Sequence, residues 1–164
     1  MRVLIKMAVL VAFSMSSICF AEAGKEAKET AVKTANAGKA IWMTSFADAK
    51  AEAAKRKVPI LVDFSGSDWC GWCIKLDEEV FSKELFKEYA AGNLVLLLVD
   101  FPRRSTQSEE IKKQNNDLVE SFKIEGFPTI LLLDAEGKLL ARTSYLPGGA
   151  ESYVTHLKRL LKNK

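Results

Sequence analysis

The chain has 164 residues, of which 48% are hydrophobic and 27% charged, and its formal net charge is +3. This length corresponds to one domain, and these proportions exclude a wholly disordered or fibrous protein. The near balance of 24 Lys+Arg against 21 Asp+Glu argues against nucleic acid as a partner, because a protein held by phosphate contacts carries a stronger basic surplus.

The first 23 residues have the pattern of a secretory signal peptide. Two basic residues precede an apolar run over residues 7–21, which is shorter than the roughly 20 residues that span a bilayer. Ala21-Glu22-Ala23 then supplies the small residues of a cleavage site, so we expect cleavage after Ala23 or after Ala21. This pattern predicts export across the inner membrane to the periplasm. The alternative is an uncleaved N-terminal anchor.

Residues 24–40 contain almost no large apolar side chain, so they cannot bury enough surface to offset the entropy of ordering. We predict a flexible linker over 24–40 and a folded domain over 41–164. Cleavage removes Cys19 and leaves Cys70 and Cys73. Two cysteines so close in sequence cannot join distant parts of a fold, and in an exported protein such a pair indicates redox chemistry.

The domain is predicted to alternate helices with buried strands. We expect helices over 46–57, 70–89, 109–122 and 150–162, and strands over 60–64, 93–100, 129–133 and 138–144. An apolar stripe on the second helix is predicted to face the core and consists of Leu76, Val80, Phe81, Leu85 and Phe86. The order of elements predicts a βαβ unit followed by a hairpin, hence an α/β fold with a central mixed sheet and helices on both faces.

The segment Trp69-Cys70-Gly71-Trp72-Cys73 carries the candidate chemistry. It lies where a buried strand passes into a helix, whose free N–H groups and positive dipole end stabilise a thiolate. Such sites lower the pKa of a cysteine from about 8.5 to roughly 3.5–7.5. We expect an exposed Cys70 that attacks a partner disulfide and a covered Cys73 that resolves the mixed disulfide. Gly71 permits the tight approach.

Other uses of the two cysteines fit the sequence less well. A zinc site needs about four ligands, and the mature chain offers two cysteines and the distant His156, so no metal site is predicted. Covalent haem attachment needs His after the second cysteine, where Ile74 stands. An inert, permanently oxidised disulfide remains the alternative to redox chemistry.

Four motifs resemble the thioredoxin superfamily. They are Val62-Asp63-Phe64, Trp69-Cys70-Gly71-Trp72-Cys73, Gly126-Phe127-Pro128-Thr129 and Asp134-Ala135-Glu136-Gly137. The combination is most similar to exported bacterial thioredoxin-like proteins and extends over about residues 42–161. The resemblance implies a thioredoxin fold, and a thiol–disulfide oxidoreductase that needs no bound cofactor. It also implies protein disulfide or dithiol substrates and a redox recycling partner, which can be membrane-bound. We expect a monomer.

The resemblance also assigns roles to the loop around Pro128. An X-Pro bond in a folded protein is usually trans, but the resemblance implies a cis bond between Phe127 and Pro128. In the family this loop faces the cysteine pair, and the backbone groups of Phe127 pair with a substrate strand. We expect Phe127, Pro128 and Thr129 to bind substrate.

Asp63 is a candidate general base for Cys73. A carboxyl group on a buried strand behind the second cysteine can have a raised pKa and accept the thiol proton. The alternative is a strand-end Asp whose oxygens are satisfied by backbone donors. Asp63 lies seven residues before Cys70, one more than in the familiar thioredoxin pattern, and the strand after it has no Lys to pair with it.

The surface around the cysteines is predicted to bind clients. We expect Trp69 and Trp72 to frame an apolar docking rim, the alternative being that one of them packs into the core. Arg103 and Arg104 are predicted to belong to a solvated loop, with contact to acidic partners as the alternative. The sequence also leaves open a reductase dedicated to one client pathway, such as cytochrome maturation, or a non-catalytic interaction module with a locked disulfide.

Overall fold

A computed structural model describes residues 40–162 of the chain. In this range the elements are β1 (Trp42–Met43), α1 (Phe46–Arg56), β2 (Ile60–Ser65), α2 (Gly71–Leu76), a π-helical turn (Asp77–Phe81), α3 (Glu84–Asn93), β3 (Val95–Asp100), α4 (Glu109–Phe122), β4 (Thr129–Leu133), β5 (Leu139–Thr143) and α5 (Gly149–Lys162). The predicted signal peptide and all of the predicted linker except residue 40 lie outside the described residues, so both stay predictions. None of the helices within 40–162 has the length and hydropathy needed to cross a bilayer.

The strands form one mixed sheet in the order β1-β3-β2-β4-β5. β3 is parallel to both β1 and β2, whereas β4 is antiparallel to β2 and β5. The predicted βαβ unit, hairpin and mixed sheet are therefore confirmed. Because β2 is the middle strand, the residues that follow it lie beyond the carboxyl end of the strand at the centre of the sheet.

The alternation of side chains along β2 divides the core into two layers. The β2 residues that face α1 and α4 are Ile60, Val62 and Phe64. Leu61 faces the opposite layer, which contains side chains of α2, α3 and α5. Because successive strand residues point to opposite faces, Asp63 shares the face of Leu61. Its carboxyl group is thereby directed towards the helix that carries Cys73.

The helix predicted over 70–89 is interrupted. The N–H of Ser82 donates to the carbonyl oxygen of Asp77, five residues earlier, at 2.8 Å, so the end of the run is a π-helical turn. Lys83 is then extended, and α3 starts anew. This restart changes the helical phase. Leu85, predicted to face the core, is consequently 43% exposed.

Two further features differ from the predictions by more than one residue. The strand β1 pairs Trp42 with Leu96 at the edge of the sheet, and with two residues it is too short to show the alternation that reveals a strand. The strand predicted over 93–100 begins at Val95, because α3 extends to Asn93. Neither difference moves the residues that surround the cysteines.

Candidate active site

Cys70 and Cys73 lie at the start of α2, beyond the carboxyl end of the central strand. Cys70 is the N-cap residue of this helix, and the two cysteines form a disulfide with their Cα atoms 5.2 Å apart. The N–H of Cys73 donates to the Sγ atom of Cys70 at 3.3 Å. That sulfur therefore lies where free amide groups stabilise negative charge. Since α2 continues into the π-helical turn, the helical run behind it contains eleven residues.

The openly exposed Cys70 that the sequence predicts is not found in this disulfide form. Cys70 keeps 8% of its surface exposed and Cys73 keeps 5%. The physical reason is that the Sγ atom of Cys70 is bonded to Cys73 and lies against the end of the helix. Gly71 and Trp72 between them are exposed. A Cβ atom at Gly71 would meet no protein atom within 4 Å, so the space beside the pair is open.

The peptide bond between Phe127 and Pro128 is cis, as the family resemblance implied. Pro128 is buried, and its carbonyl oxygen accepts a hydrogen bond from the hydroxyl of Ser144 at 2.6 Å. Thr129 Oγ1 donates to the carbonyl oxygen of Gly126 at 2.7 Å. Within the described part of the chain, no backbone hydrogen bond involves Phe127. The backbone groups of Phe127 are therefore available to a partner strand.

Asp63 lies behind the cysteine pair, on a cavity of about 270 Å³ that Cys73 and Asp77 also line. The Asp63 side chain is buried, and no group among residues 40–162 forms a hydrogen bond with its Oδ1 atom. The alternative in which backbone donors satisfy both of its oxygens is therefore wrong. Burial raises the pKa of Asp63 to about 8, and the negative charges of Asp100 and Asp77 contribute. Leu98 stands opposite Asp63 on β3, so that strand position supplies no cation.

Trp69 forms one wall of the site. Its Nε1 atom donates to the carbonyl oxygen of Phe101 at 2.7 Å, and its ring meets Phe127 edge to face with the centroids 6.1 Å apart. Phe101 in turn stacks on Phe127, with 5.2 Å between ring centroids and 18° between ring planes. The guanidinium carbon of Arg103 lies 3.9 Å from the centre of the Trp69 ring. The segment that begins at Phe101 is thus part of the active-site surface.

Trp72 forms the opposite wall and is 59% exposed. Its ring lies 5.3 Å from that of Tyr145, and the Nζ atom of Lys75 lies over both rings. The hydroxyl of Tyr145 donates to Glu79 at 2.7 Å, and Lys75 is 3.8 Å from the same carboxylate. An open cleft of about 500 Å³ is lined by Trp72, Lys75, Phe127, Pro128, Ser144, Tyr145 and Pro147. Both tryptophans thus lie at the surface, and neither packs into the core.

Within residues 40–162, no group of three or more His, Cys, Asp or Glu side chains is arranged to hold a metal ion. The sequence from residue 41 to residue 135 matches a family model described as thioredoxin-like. A relative in Chlamydia pneumoniae, "Disulfide bond reductase DsbH", is 41% identical over 118 residues, which are 72% of this chain and 71% of that protein. The chain belongs to the thioredoxin-like family.

Two more similarities agree with this assignment. "Thioredoxin-related protein DsbJ" of Chlamydia pneumoniae is 33% identical over 102 residues, which are 62% of this chain but 29% of DsbJ. The solved structure of "DsbH Oxidoreductase" matches with a TM-score of 0.73 and 34% identity, covering 92% of this chain and 96% of that one. These similarities, together with the Cys70–Cys73 disulfide, identify this thioredoxin-like protein as a protein thiol–disulfide oxidoreductase.

The sequence did not predict the carboxylates that anchor the loop before the cysteines of this thioredoxin-like domain. Asp100 accepts hydrogen bonds from the N–H of Ser67 at 2.9 Å and from its hydroxyl at 2.6 Å. Asp68 accepts hydrogen bonds from the backbone N–H groups of Arg103 at 2.9 Å and of Arg104 at 2.6 Å. Ser and Asp in a turn are a signal for such bonds. The groups that they bond lie at the end of β3 and just after it, more than thirty residues away, and only the fold reveals them.

Proposed function

We propose that this oxidoreductase reduces disulfides of protein clients outside the cytoplasm, with Cys70 as nucleophile and Cys73 as resolving thiol. The observation that carries the proposal is the position of the Cys70 sulfur at the N-terminus of α2, where the N–H of Cys73 donates to it. Trp72, between the two cysteines, lines an open cleft with Phe127 and Pro128. The printed name of the DsbH relative, disulfide bond reductase, supports the direction of electron flow. The signal-like pattern over 1–23 supports export to the periplasm.

The first step of the proposed reaction uses the reduced protein. The Cys70 thiolate attacks one sulfur of a client disulfide, a bond forms between the two sulfurs, and the second client sulfur leaves as a thiolate. The N–H of Cys73, which reaches Cys70 Sγ at 3.3 Å, favours the thiolate over the thiol. A mixed disulfide then joins the client to Cys70.

The second step releases the client. Cys73 gives up its thiol proton and attacks the Cys70 sulfur, which re-forms the disulfide found here and expels the client as a second thiolate. We assign the proton to Asp63, which shares a cavity with Cys73. A pKa of about 8 lies close to the ordinary thiol pKa of about 8.5, so the transfer costs little free energy. Two electrons reach the client in total.

The proposed client lies along the loop that precedes β4. The unpaired backbone groups of Phe127 can bond an extended client strand, an arrangement that supports β-addition next to the cysteines. Pro128 and Thr129 would fix the course of that strand, and Gly71 would leave room for the client sulfur. Trp69 and Trp72 would border the bound segment on its two sides.

The catalytic cycle closes when a dithiol partner reduces the Cys70–Cys73 disulfide again. Two electrons then pass from that partner, which becomes a disulfide. In the periplasm a membrane-bound protein would supply them from the cytoplasmic side. A reductase dedicated to one client pathway, cytochrome maturation for example, is the narrower form of this proposal.

One observation favours a second candidate function. Only 8% of the Cys70 surface is exposed, which is also expected for a locked disulfide in a non-catalytic interaction module. The two candidates differ in whether dithiothreitol opens the pair. A locked disulfide would resist it, whereas a catalytic pair would be reduced within the time of an assay.

The experiment is reduction of insulin by dithiothreitol with and without the protein. We expect the wild-type protein to accelerate insulin precipitation, and Cys70→Ala to abolish the effect. Cys73→Ala should accumulate clients on Cys70 as mixed disulfides that non-reducing gels detect. Failure of the wild type to accelerate precipitation, together with an absence of trapped clients, would favour the interaction module.

A further inference from the structure

Arg103 is exposed, and its guanidinium group lies over the indole ring of Trp69. Its guanidinium carbon is 3.9 Å from the ring centre. Stacking on an aromatic ring uses the face of the guanidinium and leaves its N–H donors at the edge. Because the Arg103 side chain is exposed, a partner at the active-site surface can reach those donors.

The backbone of the segment is fixed in place by Asp68. This carboxylate accepts hydrogen bonds from the main-chain N–H groups of Arg103 and Arg104. The same bonds lower the pKa of Asp68, so it stays charged at neutral pH. Because Asp68 immediately precedes Trp69, it holds the Arg103 backbone at a position from which the Arg103 side chain lies over that ring.

The side chain of Arg103 forms no ion pair within the described part of the chain. The two neighbouring carboxylates are engaged elsewhere, since Asp68 binds backbone N–H groups and Asp100 binds Ser67. On the opposite wall, by contrast, Lys75 lies 3.8 Å from Glu79. Among the described residues, the guanidinium of Arg103 has no carboxylate partner, and it differs from that of the neighbouring Arg104 in lying over the Trp69 ring.

Arg103 also lies next to the proposed path of the client. Trp69, on which it stacks, precedes Cys70 and meets the ring of Phe127. We propose that Arg103 binds the carboxylate of an acidic residue that flanks the reactive cysteine of the client polypeptide. This inference rests on the proposed function, because it names the chemistry of the clients that the Cys70 site selects.

The pre-organisation of Arg103 supports a role in selection. Its position is set by the Trp69 ring and by the hydrogen bonds from its backbone to Asp68. Binding a carboxylate therefore restricts few additional rotatable bonds of the side chain and costs little conformational entropy. Ion pairs at the rim of an interface mainly change the rate of association, and salt screens them. The preference for acidic clients should therefore appear in the rate of mixed-disulfide formation and decrease in salt.

The test uses Cys73→Ala, which stops at the mixed disulfide, and three peptides that differ only in the residue beside one cysteine: Glu, Gln or Lys. Each cysteine is joined to 5-thio-2-nitrobenzoate, which is released as a coloured thiolate when Cys70 attacks. At low salt we expect the Glu peptide to react about three- to fivefold faster than the Gln peptide, and the Lys peptide to be slowest. In about 1 M NaCl, where the Debye length is about 3 Å, the differences should shrink towards none.

Arg103→Gln and Arg104→Gln are matched variants, because both remove one charge from adjacent positions whose backbones bind Asp68. Arg103→Gln should abolish the preference for Glu, and Arg104→Gln should retain most of it. Arg103→Glu should reverse the order of the Glu and Lys peptides. An equal loss in both Gln variants, or no preference in the parent protein, would overturn the inference. Insulin reduction by the protein with both cysteines tests the proposed function separately, so loss of the Glu preference alone would overturn this inference and leave the proposed function standing.

Discussion

Asp63 and Cys73 line one cavity of about 270 Å³, and the Oδ1 atom of Asp63 has no hydrogen-bond partner in the described part of the protein. A buried polar atom without a partner carries a cost in free energy, which is greatest when the group is charged. No cation offsets this cost from β3, where Leu98 stands opposite, and Asp77 adds a negative charge to the same cavity. Charged Asp63 thus costs stability at the position where the proposed mechanism places a proton acceptor for Cys73.

The first prediction concerns the pH dependence of stability. Folded Asp63 keeps its proton up to about pH 8, whereas the unfolded chain releases it near pH 4. Between these values the folded state binds one more proton, so the free energy of unfolding falls as pH rises, by up to about 1.4 kcal/mol per unit from this group. Asp63→Asn should remove this fall and be more stable than wild type at pH 8.

Urea unfolding of both oxidised proteins at pH 5, 6.5 and 8 measures the effect. The advantage of Asp63→Asn over wild type should grow with pH across this series. Glu136→Gln, which removes an exposed carboxylate, is the control and should follow the wild-type curve. Parallel curves for wild type and Asp63→Asn would contradict a raised pKa at Asp63.

The second prediction concerns the rate at which Cys73 resolves the mixed disulfide. If Asp63 accepts the thiol proton, the rate should rise with pH and level off above about pH 8, where the carboxylate is formed. Asp63→Asn should be slower by about tenfold or more at pH 7 and lack this plateau. Single-turnover release of a fluorescent client measures the step. A rate in Asp63→Asn equal to wild type would remove Asp63 from the mechanism.

Much of the fold was predictable because β2, β3 and β4 are short, apolar runs, which burial on both faces of a sheet requires. The bounds of α4 and β4 were predicted to the residue. The interruption before α3 was not predicted, because the apolar stripe in the sequence over 76–86 continues through the interruption. The extra residue is accommodated by the hydrogen bond from Ser82 to Asp77, a local choice that no periodicity reveals.

The site was predictable only in its local parts. Cys70 and Cys73 form a recognisable motif, and the cis bond before Pro128 followed from family resemblance. The contacts of Trp69 with Phe101 and Arg103 join segments more than thirty residues apart, and neither segment contains a sequence signal that predicts the contact. The predicted exposure of Cys70 was also wrong, because the sequence does not show that the disulfide-bonded sulfur lies against the end of the helix.

The third prediction concerns Trp72, whose exposed ring borders the cleft beside Pro128. Trp72→Ala should raise the KM for a protein client about fivefold, the effect of losing one aromatic contact of about 1 kcal/mol. The reaction of the disulfide with dithiothreitol, which is too small to touch the rim, should change little. Leu139→Ala removes another exposed apolar side chain, from β5, and should leave both reactions unchanged. Equal KM values for the two variants would exclude Trp72 from client binding.

The fourth prediction concerns Gly66, which lies beneath the indole ring of Trp69. A Cβ atom at this position would lie 2.5 Å from Cε2 and 2.7 Å from Nε1 of that ring, closer than any real contact. Gly66→Ala should therefore displace the ring and break the hydrogen bond from Nε1 to Phe101. We expect a loss of about 1 kcal/mol or more in the free energy of unfolding and slower reduction of insulin.

Gly92→Ala is the matched control, since a Cβ atom there meets nothing within 4 Å and Gly92 lies in α3, where alanine is favoured. It should be neutral or stabilising. A double-mutant cycle then identifies the cause of the Gly66→Ala effect, because in a Trp69→Ala background the added methyl group has no ring to displace. Gly66→Ala should cost little stability in that background. If it costs as much as in wild type, the ring of Trp69 is not what requires glycine at this position.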